Sequence, residues 1–212
     1  MKIGLIADIH ADLESLQRAL DILDSRNVEH ILCAGDLVGR GRQGEDVITL
    51  IRERAIPCVQ GNHDEMHAEI QALIREVGDS NDPDYHRSLL SDASFDFLRG
   101  LPLTLRFEWE GKRVLLAHAT PWDQSTHVYP ESSRARMKRV IDEGDADIII
   151  LGHTHIPMSV QVGSAWIYNP GSVMVGRLDE KRTCAVLTLP GALYEVHDID
   201  TRMRIRYPQV IH

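Results

Sequence analysis

Five short clusters in this chain of 212 residues carry side chains able to bind a metal ion: Asp8-Ile9-His10, Gly35-Asp36, Gly61-Asn62-His63-Asp64, His118 and Gly152-His153-Thr154-His155. Each follows a strand-like run of apolar residues. Residues i and i+2 of a strand share a face, so Asp8 with His10, and His153 with His155, would converge on one site if extended geometry persists. Glycines before Asp36, Asn62 and His153 permit tight turns and close approach of the backbone. A turn or an ordinary histidine could explain any one cluster, but not five at successive strand ends. The donors are nitrogen and oxygen without thiolate, which suits manganese, iron, nickel or zinc rather than a structural zinc knot.

The elements that must position these residues are legible as hydrophobic periodicity. Lys2 to Ala7, His30 to Ala34 and Pro57 to Gln60 predict three strands. Leu13, Leu16, Leu20 and Leu23 predict a helix capped by Asp12, and Val47, Ile48 and Ile51 predict a second. This β-α-β-α-β rhythm implies a parallel sheet, whose ligands bind beyond the carboxyl ends of the strands. Residues from about 65 to 100 break the rhythm and predict a small helical, cap-like insertion, with a loop around Gly78 to Pro83. Thr104 to Trp109 and Lys112 to Ala117, joined at Glu110-Gly111, predict a hairpin. A helix at about 131–143, a strand from Ile148 to Leu151, and several short strands complete the pattern. The expected fold class is α/β, a central β-sandwich of mixed sheets flanked by helices, in a single domain spanning 1–212.

Bulk properties narrow the function classes. A hydrophobic content of 43% supports a proper core, while a formal net charge of −9 argues against stable nucleic-acid binding or attachment to an anionic membrane. No apolar run is long enough to span a bilayer, and the first residues do not read as a secretory signal. Cys33, Cys58 and Cys184 are widely spaced without a Cys-x-x-Cys pair, and Cys33 and Cys58, in strand-like runs, read as buried, reduced thiols. The expected compartment is the cytoplasm; a homo-oligomer is left open.

In this order, and with Asn169-Pro170-Gly171-Ser172-Val173 following, the clusters resemble those of the calcineurin-like metallophosphoesterases, in particular their small bacterial and archaeal phosphodiesterase branch. The resemblance runs from Asp8 to about Val173. It implies a binuclear centre in which Asp8, His10, Asp36 and His155 hold one ion, and Asp36, Asn62, His118 and His153 hold the second, with Asp36 bridging. His63 would be the acid catalyst and Asp64 would orient it. One departure is Ala119 after His118, where relatives often have glycine. Two divalent ions, manganese first with iron, nickel or zinc as alternatives, would leave the two carboxylates formally at +2, attracting a phosphate despite the overall −9. Ions roughly 3.5–4 Å apart can activate water for in-line attack and stabilise the attacking and leaving oxygens.

The expected reaction is hydrolysis of a small phosphodiester, with a nucleotide among the candidate substrates. Alternatives are a phosphomonoesterase, a nucleoside polyphosphate hydrolase or a protein phosphatase. A non-catalytic scaffold is the alternative of another class; the retained His63 and complete candidate ligand set argue against it. Arg40, in Gly39-Arg40-Gly41-Arg42, could fork onto a phosphate; Arg42 reads as a solvated loop residue. Pro121-Trp122, His127 and Tyr129 are candidates for lining a pocket. His67 reads as a surface-helix histidine, and the Asn169 to Ser172 stretch as a turn supporting the site.

Overall fold

The computed structural model describes residues 1–78, 89–175 and 181–212. In chain order these form β1 (Lys2–Ile6), α1 (Leu13–Ser25), β2 (His30–Cys33), α2 (Gly44–Glu53), α3 (Asn62–Val77) and α4 (Asp92–Arg99). The hairpin β3 (Thr104–Trp109) and β4 (Lys112–Ala117) comes next, then α5 (Arg134–Gly144) and β5 (Ile148–Ile150). Six short strands follow: β6 (Met158–Val162), β7 (Ala165–Asn169), β8 (Thr183–Thr188), β9 (Leu193–Asp198), β10 (Arg204–Ile205) and β11 (Gln209–Ile211).

The strands make a five-stranded sheet, β10-β9-β8-β1-β2, and a six-stranded sheet, β11-β6-β7-β5-β4-β3. Strand alternation explains why their central segments are almost continuously apolar. In β1, Ile3 and Leu5 enter the core between the sheets, while Ile6 faces the helices packed outside. In the second sheet Val114, Leu116, Ile148 and Ile150 enter that same core, and Leu115 and Ile149 face outward to Met137 and Val140 of α5. Both faces are buried, so neither shows a polar stripe. On the first sheet, α1 begins as its sequence requires: Asp12 accepts from the backbone N–H of Ser15, and Leu16, Leu20 and Leu23 point inward.

The first sheet is mixed, as the expected fold class has it: β1 and β2 pair in parallel, and β8 pairs antiparallel with β1 on the edge opposite β2. Pro57 to Gln60 is not a full strand; its pairing is a single bridge from Cys58 to Cys33. Helix α3 starts at Asn62, so Asn62 and His63 lie in a helical first turn. Of the segment at about 65–100, Ala68, Phe95 and Leu98 pack into the same cluster as α1 and α2. Most of the loop expected at Gly78 to Pro83 lies outside the described residues. Cys33, Cys58 and Cys184 are free and buried. Among the described residues, no helix is long and apolar enough to cross a membrane.

Candidate metal centre

All five clusters meet at the carboxyl edges of the two sheets. Asp8 and His10 follow β1, Asp36 follows β2, His118 follows β4, His153 and His155 follow β5, and Asn62 and His63 open α3. Convergence does not come from continued strand geometry. Asp8, His10, Asp36, His153 and His155 have φ between 49° and 67°, in the left-handed region that residues other than glycine seldom enter. The chain therefore curls under the site at each position, a form of stored strain common at functional centres. Gly61 makes the approach of the second and third clusters possible: a Cβ there would lie 2.1 Å from Asp36 Oδ1.

The donor atoms are close and oriented. Asp36 Oδ2 lies 3.6 Å from His10 Nε2 and 3.5 Å from His118 Nε2. His155 Nε2 is 3.2 Å from His10 Nε2 and 3.5 Å from Asp8 Oδ1. Asn62 Oδ1 is 3.0 Å from both His118 Nε2 and His153 Nδ1. The opposite ring nitrogens fix the tautomers, because a carbonyl can only accept. His10 Nδ1–H donates to Val38 O, His118 Nδ1–H to Ala34 O, and His153 Nε2–H to Ser125 O. Each of these rings therefore aims a lone pair inward, as outer hydrogen bonds do for metal-binding histidines.

Electrostatics agree with that arrangement. Burial is the largest cause that lowers His10 to about 3 and His118, His153 and His155 to about 4, keeping the imidazoles neutral. Burial pushes Asp36 up to about 6, and burial followed by repulsion from Asp36 raises Asp8 well above the carboxylate range. Among the described residues the side chains within ion-pairing distance of these two carboxylates are histidines only. Lone pairs and buried carboxylates thus converge without a fixed cation from the protein, which fits divalent metal ions.

Supporting residues explain the rigidity. The fully buried Asp64 carboxylate accepts from the backbone N–H groups of Asp36, Leu37, Val38 and Gly61. It pins the loop after β2 to the start of α3, rather than pairing with the imidazole of His63 as expected. Burial and then Asp36 push it up to about 7, against the pull of those N–H groups. Asn169 donates to Gly152 O and Thr154 Oγ1, and Ser172 Oγ donates to Asp8 O, so this turn supports the site as the sequence suggested. Ser125, holding His153 through its carbonyl, had no side-chain signal by which to be found.

The remaining candidates divide. One ring nitrogen of His63 lies within 4.8 Å of donor atoms of His10 and Asp36. Arg40 is exposed, and after burial its charge is the next cause lowering His155. His127 sits beside His153, with ring centroids 4.3 Å apart, and stacks on Tyr129. Trp122 belongs instead to the outer cluster, under the guanidinium of Arg139. His67 is half-buried against a cavity rather than on open surface.

Comparison with known proteins gives a consistent picture. A family model described as the calcineurin-like phosphoesterase superfamily domain matches residues 1–191. A probable metallophosphoesterase of Methanothermobacter thermautotrophicus is 29% identical, over 95% of this chain and 93% of the relative. Phosphodiesterase YfcE of Escherichia coli K12 is 24% identical, over 82% and 80%. The crystal structure of a metallophosphoesterase from Sphaerobacter thermophilus superposes with a TM-score of 0.74 at 23% identity, covering 98% of this chain and 89% of that one.

Proposed function

The chain belongs to the calcineurin-like phosphoesterase superfamily, a family of hydrolases, and on that premise we propose that it is a two-metal enzyme hydrolysing a small phosphodiester. The observation that carries this reading is Asp36 Oδ2, poised between His10 and His118 at 3.6 and 3.5 Å as a bridging ligand would be. Asp8, His10, Asp36 and His155 would hold one ion, and Asp36, Asn62, His118 and His153 the other. When bound, the ions would supply Lewis-acid activation of water and neutralise charge on the phosphoryl oxygens.

The protein's own groups do the rest. Arg40 would fork onto a non-bridging phosphoryl oxygen from its glycine-flanked loop. The N-terminus of α3 adds the positive end of a helix dipole beside the site. His63 would deliver a proton to the departing alkoxide oxygen, a contribution of roughly 10²–10⁴ in rate. Its orientation comes from the backbone: His63 N–H donates to Asp36 Oδ1 at 2.9 Å.

A metal-by-substrate screen tests the proposal. An aryl phosphodiester, the matching monoester and dinucleoside polyphosphates are each assayed with manganese, nickel, zinc and magnesium. Chelation should abolish activity, manganese should restore it, and the diester should be turned over faster than the monoester. Full activity in protein verified as metal-free would overturn the two-metal reading. A monoester preference of about tenfold, worth roughly 1.4 kcal/mol, would overturn the diester assignment.

A further inference from the structure

Helix α3 places His67 one turn beyond His63, on the same side of the helix. His67 lines a cavity of about 310 Å³ with Val38, Gly39, Arg42, Glu45 and Leu90. Gly39 is the wall this cavity shares with the candidate acid. A Cβ at Gly39 would lie 3.0 Å from His63 Nδ1, and its φ of 107° further disfavours any side chain there. Among the described residues, His63 Nδ1 and His67 Nδ1 are both buried without a hydrogen-bond partner.

The charges lining the cavity are unevenly committed. Glu45 is occupied, accepting from Ser91 N–H, Ser91 Oγ and Ser94 Oγ. Arg42 makes no ion pair among the described residues, and neither does Arg40 two positions earlier. Among the described residues the loop thus carries two guanidinium groups without an ion pair, one whose charge is felt at His155 and one against the cavity beyond His63. An acid must come within hydrogen-bond reach of the leaving oxygen, so the leaving group lies on the His63 side of the phosphoryl group. On that side, across Gly39, the cavity presents Arg42 and His67.

We infer that this cavity is the leaving-group subsite, and that the natural leaving group is a small alcohol carrying a second anionic group such as a phosphate or carboxylate. The inference rests on the phosphodiesterase reading above and names its substrate class. In the reaction, water oxygen bonds to phosphorus and gives up one proton to solvent, while the bond from phosphorus to the leaving oxygen breaks. His63 supplies the proton that this oxygen gains and takes one back from solvent, and the products are a phosphomonoester and the anionic alcohol. Arg42 would bind the second anion through a charge-assisted hydrogen bond, with His67 as a further donor. The volume of about 310 Å³ is enough for a small phosphorylated or carboxylated alcohol.

The test compares two methyl aryl phosphodiesters with phenols of matched acidity, one carrying a ring phosphonate and the other a neutral sulfonamide. With the manganese-loaded full chain, the anionic ester should have a KM at least roughly tenfold lower, the lower end of what one charge-assisted hydrogen bond contributes. Arg42→Ala should bring the ratio of KM values to about one, and His67→Gln should reduce it less than His67→Ala. Arg40→Ala should weaken both substrates and keep the ratio. A wild-type ratio near one, or a ratio that survives Arg42→Ala, overturns the subsite. If neither diester is turned over, the phosphodiesterase reading has failed, and calorimetry with the free phosphonate-bearing phenol decides the subsite separately. Binding that Arg42→Ala removes supports it; absence of binding to wild type overturns it.

Discussion

Gly61→Ala is a sharp test of how the centre is assembled, because its effect is steric alone. Gly61 has φ −92° and ψ 168°, which alanine adopts without strain. The added Cβ would stand 2.1 Å from Asp36 Oδ1 and 2.4 Å from Asp36 N, whereas real Cβ contacts do not fall below 3.0 Å. Asp36 must therefore move by about 0.9 Å or more, and it is fully enclosed. Overpacking of this kind costs about 1–3 kcal/mol. The shift also breaks or stretches the bonds from His63 N–H to Asp36 Oδ1 and from Asp36 N–H to Asp64, each worth about 1 kcal/mol. The total is about 3–5 kcal/mol. At roughly 2–4 °C per kcal/mol for a chain of this size, the melting temperature should fall by about 10 °C. Displacing the bridging carboxylate should also lower metal content, read by elemental analysis after dialysis. Gly191→Ala, where an added Cβ meets nothing within 4 Å, is the control and should be near neutral. Full metal content in Gly61→Ala, with a melting temperature within about 2 °C of the parent, would refute the account of Gly61 as the residue that lets the two loops meet.

Other outcomes follow from the same geometry. His63→Ala should keep both metals and lose roughly 10²–10⁴ in turnover, less on esters with a very good leaving group; loss of metal in step with activity would make His63 a ligand. Asp36→Asn should deplete metal from both positions, and an elemental analysis matching wild type would contradict its bridging role. Arg40→Ala should raise KM with metal content intact; unchanged kinetics would make it a solvated loop residue. In metal-free protein, His10, His118, His153 and His155 have lowered values, so their neutral forms persist below the ordinary histidine range and protonate only as pH falls toward about 4. Their ring NMR signals should stay neutral at pH 5.5, and a midpoint near 6.5 for any of them would contradict the burial argument. Acidification from pH 8 to 5 then competes with metal through Asp8 and Asp36, whose values are raised, and not through the imidazoles.

The sequence reading grouped side chains that the fold does bring close together, but partly for the wrong local reason. Asp8 with His10 and His153 with His155 were paired by strand periodicity, yet the backbone there is left-handed. The spacing is informative because two nearby donors on one turn converge under several geometries. Asp64 was legible as part of the centre but not in its task, since four backbone N–H partners drawn from separate segments leave no pattern in composition. The antiparallel placement of β8 beside β1 was equally hidden: an apolar strand buried on both faces carries no mark of its direction. The hairpin at Glu110-Gly111 was read to the residue because its turn chemistry is local. His67 and Arg42 read as ordinary surface residues, because a cavity wall formed by α3 and the loop after β2 exists only once both are packed.

The bond from Ser172 Oγ to the carbonyl of Asp8 spans 164 positions, and Val173 and Met174 add backbone N–H donors to Ala7 and Asp8. This has a consequence for the order of events during synthesis. By residue 155 the emerging chain contains every candidate ligand, and Asp8 N–H already has Gly35 O, yet the carbonyls of Ala7 and Asp8 still lack their late donors. Those partners arrive with the segment leading into β8, which closes the first sheet against β1. Long-range closures of this kind are slow, late steps. A ribosome-bound chain that already carries all its candidate metal ligands should therefore bind metal more weakly than the full chain, until its last third returns onto its first strand.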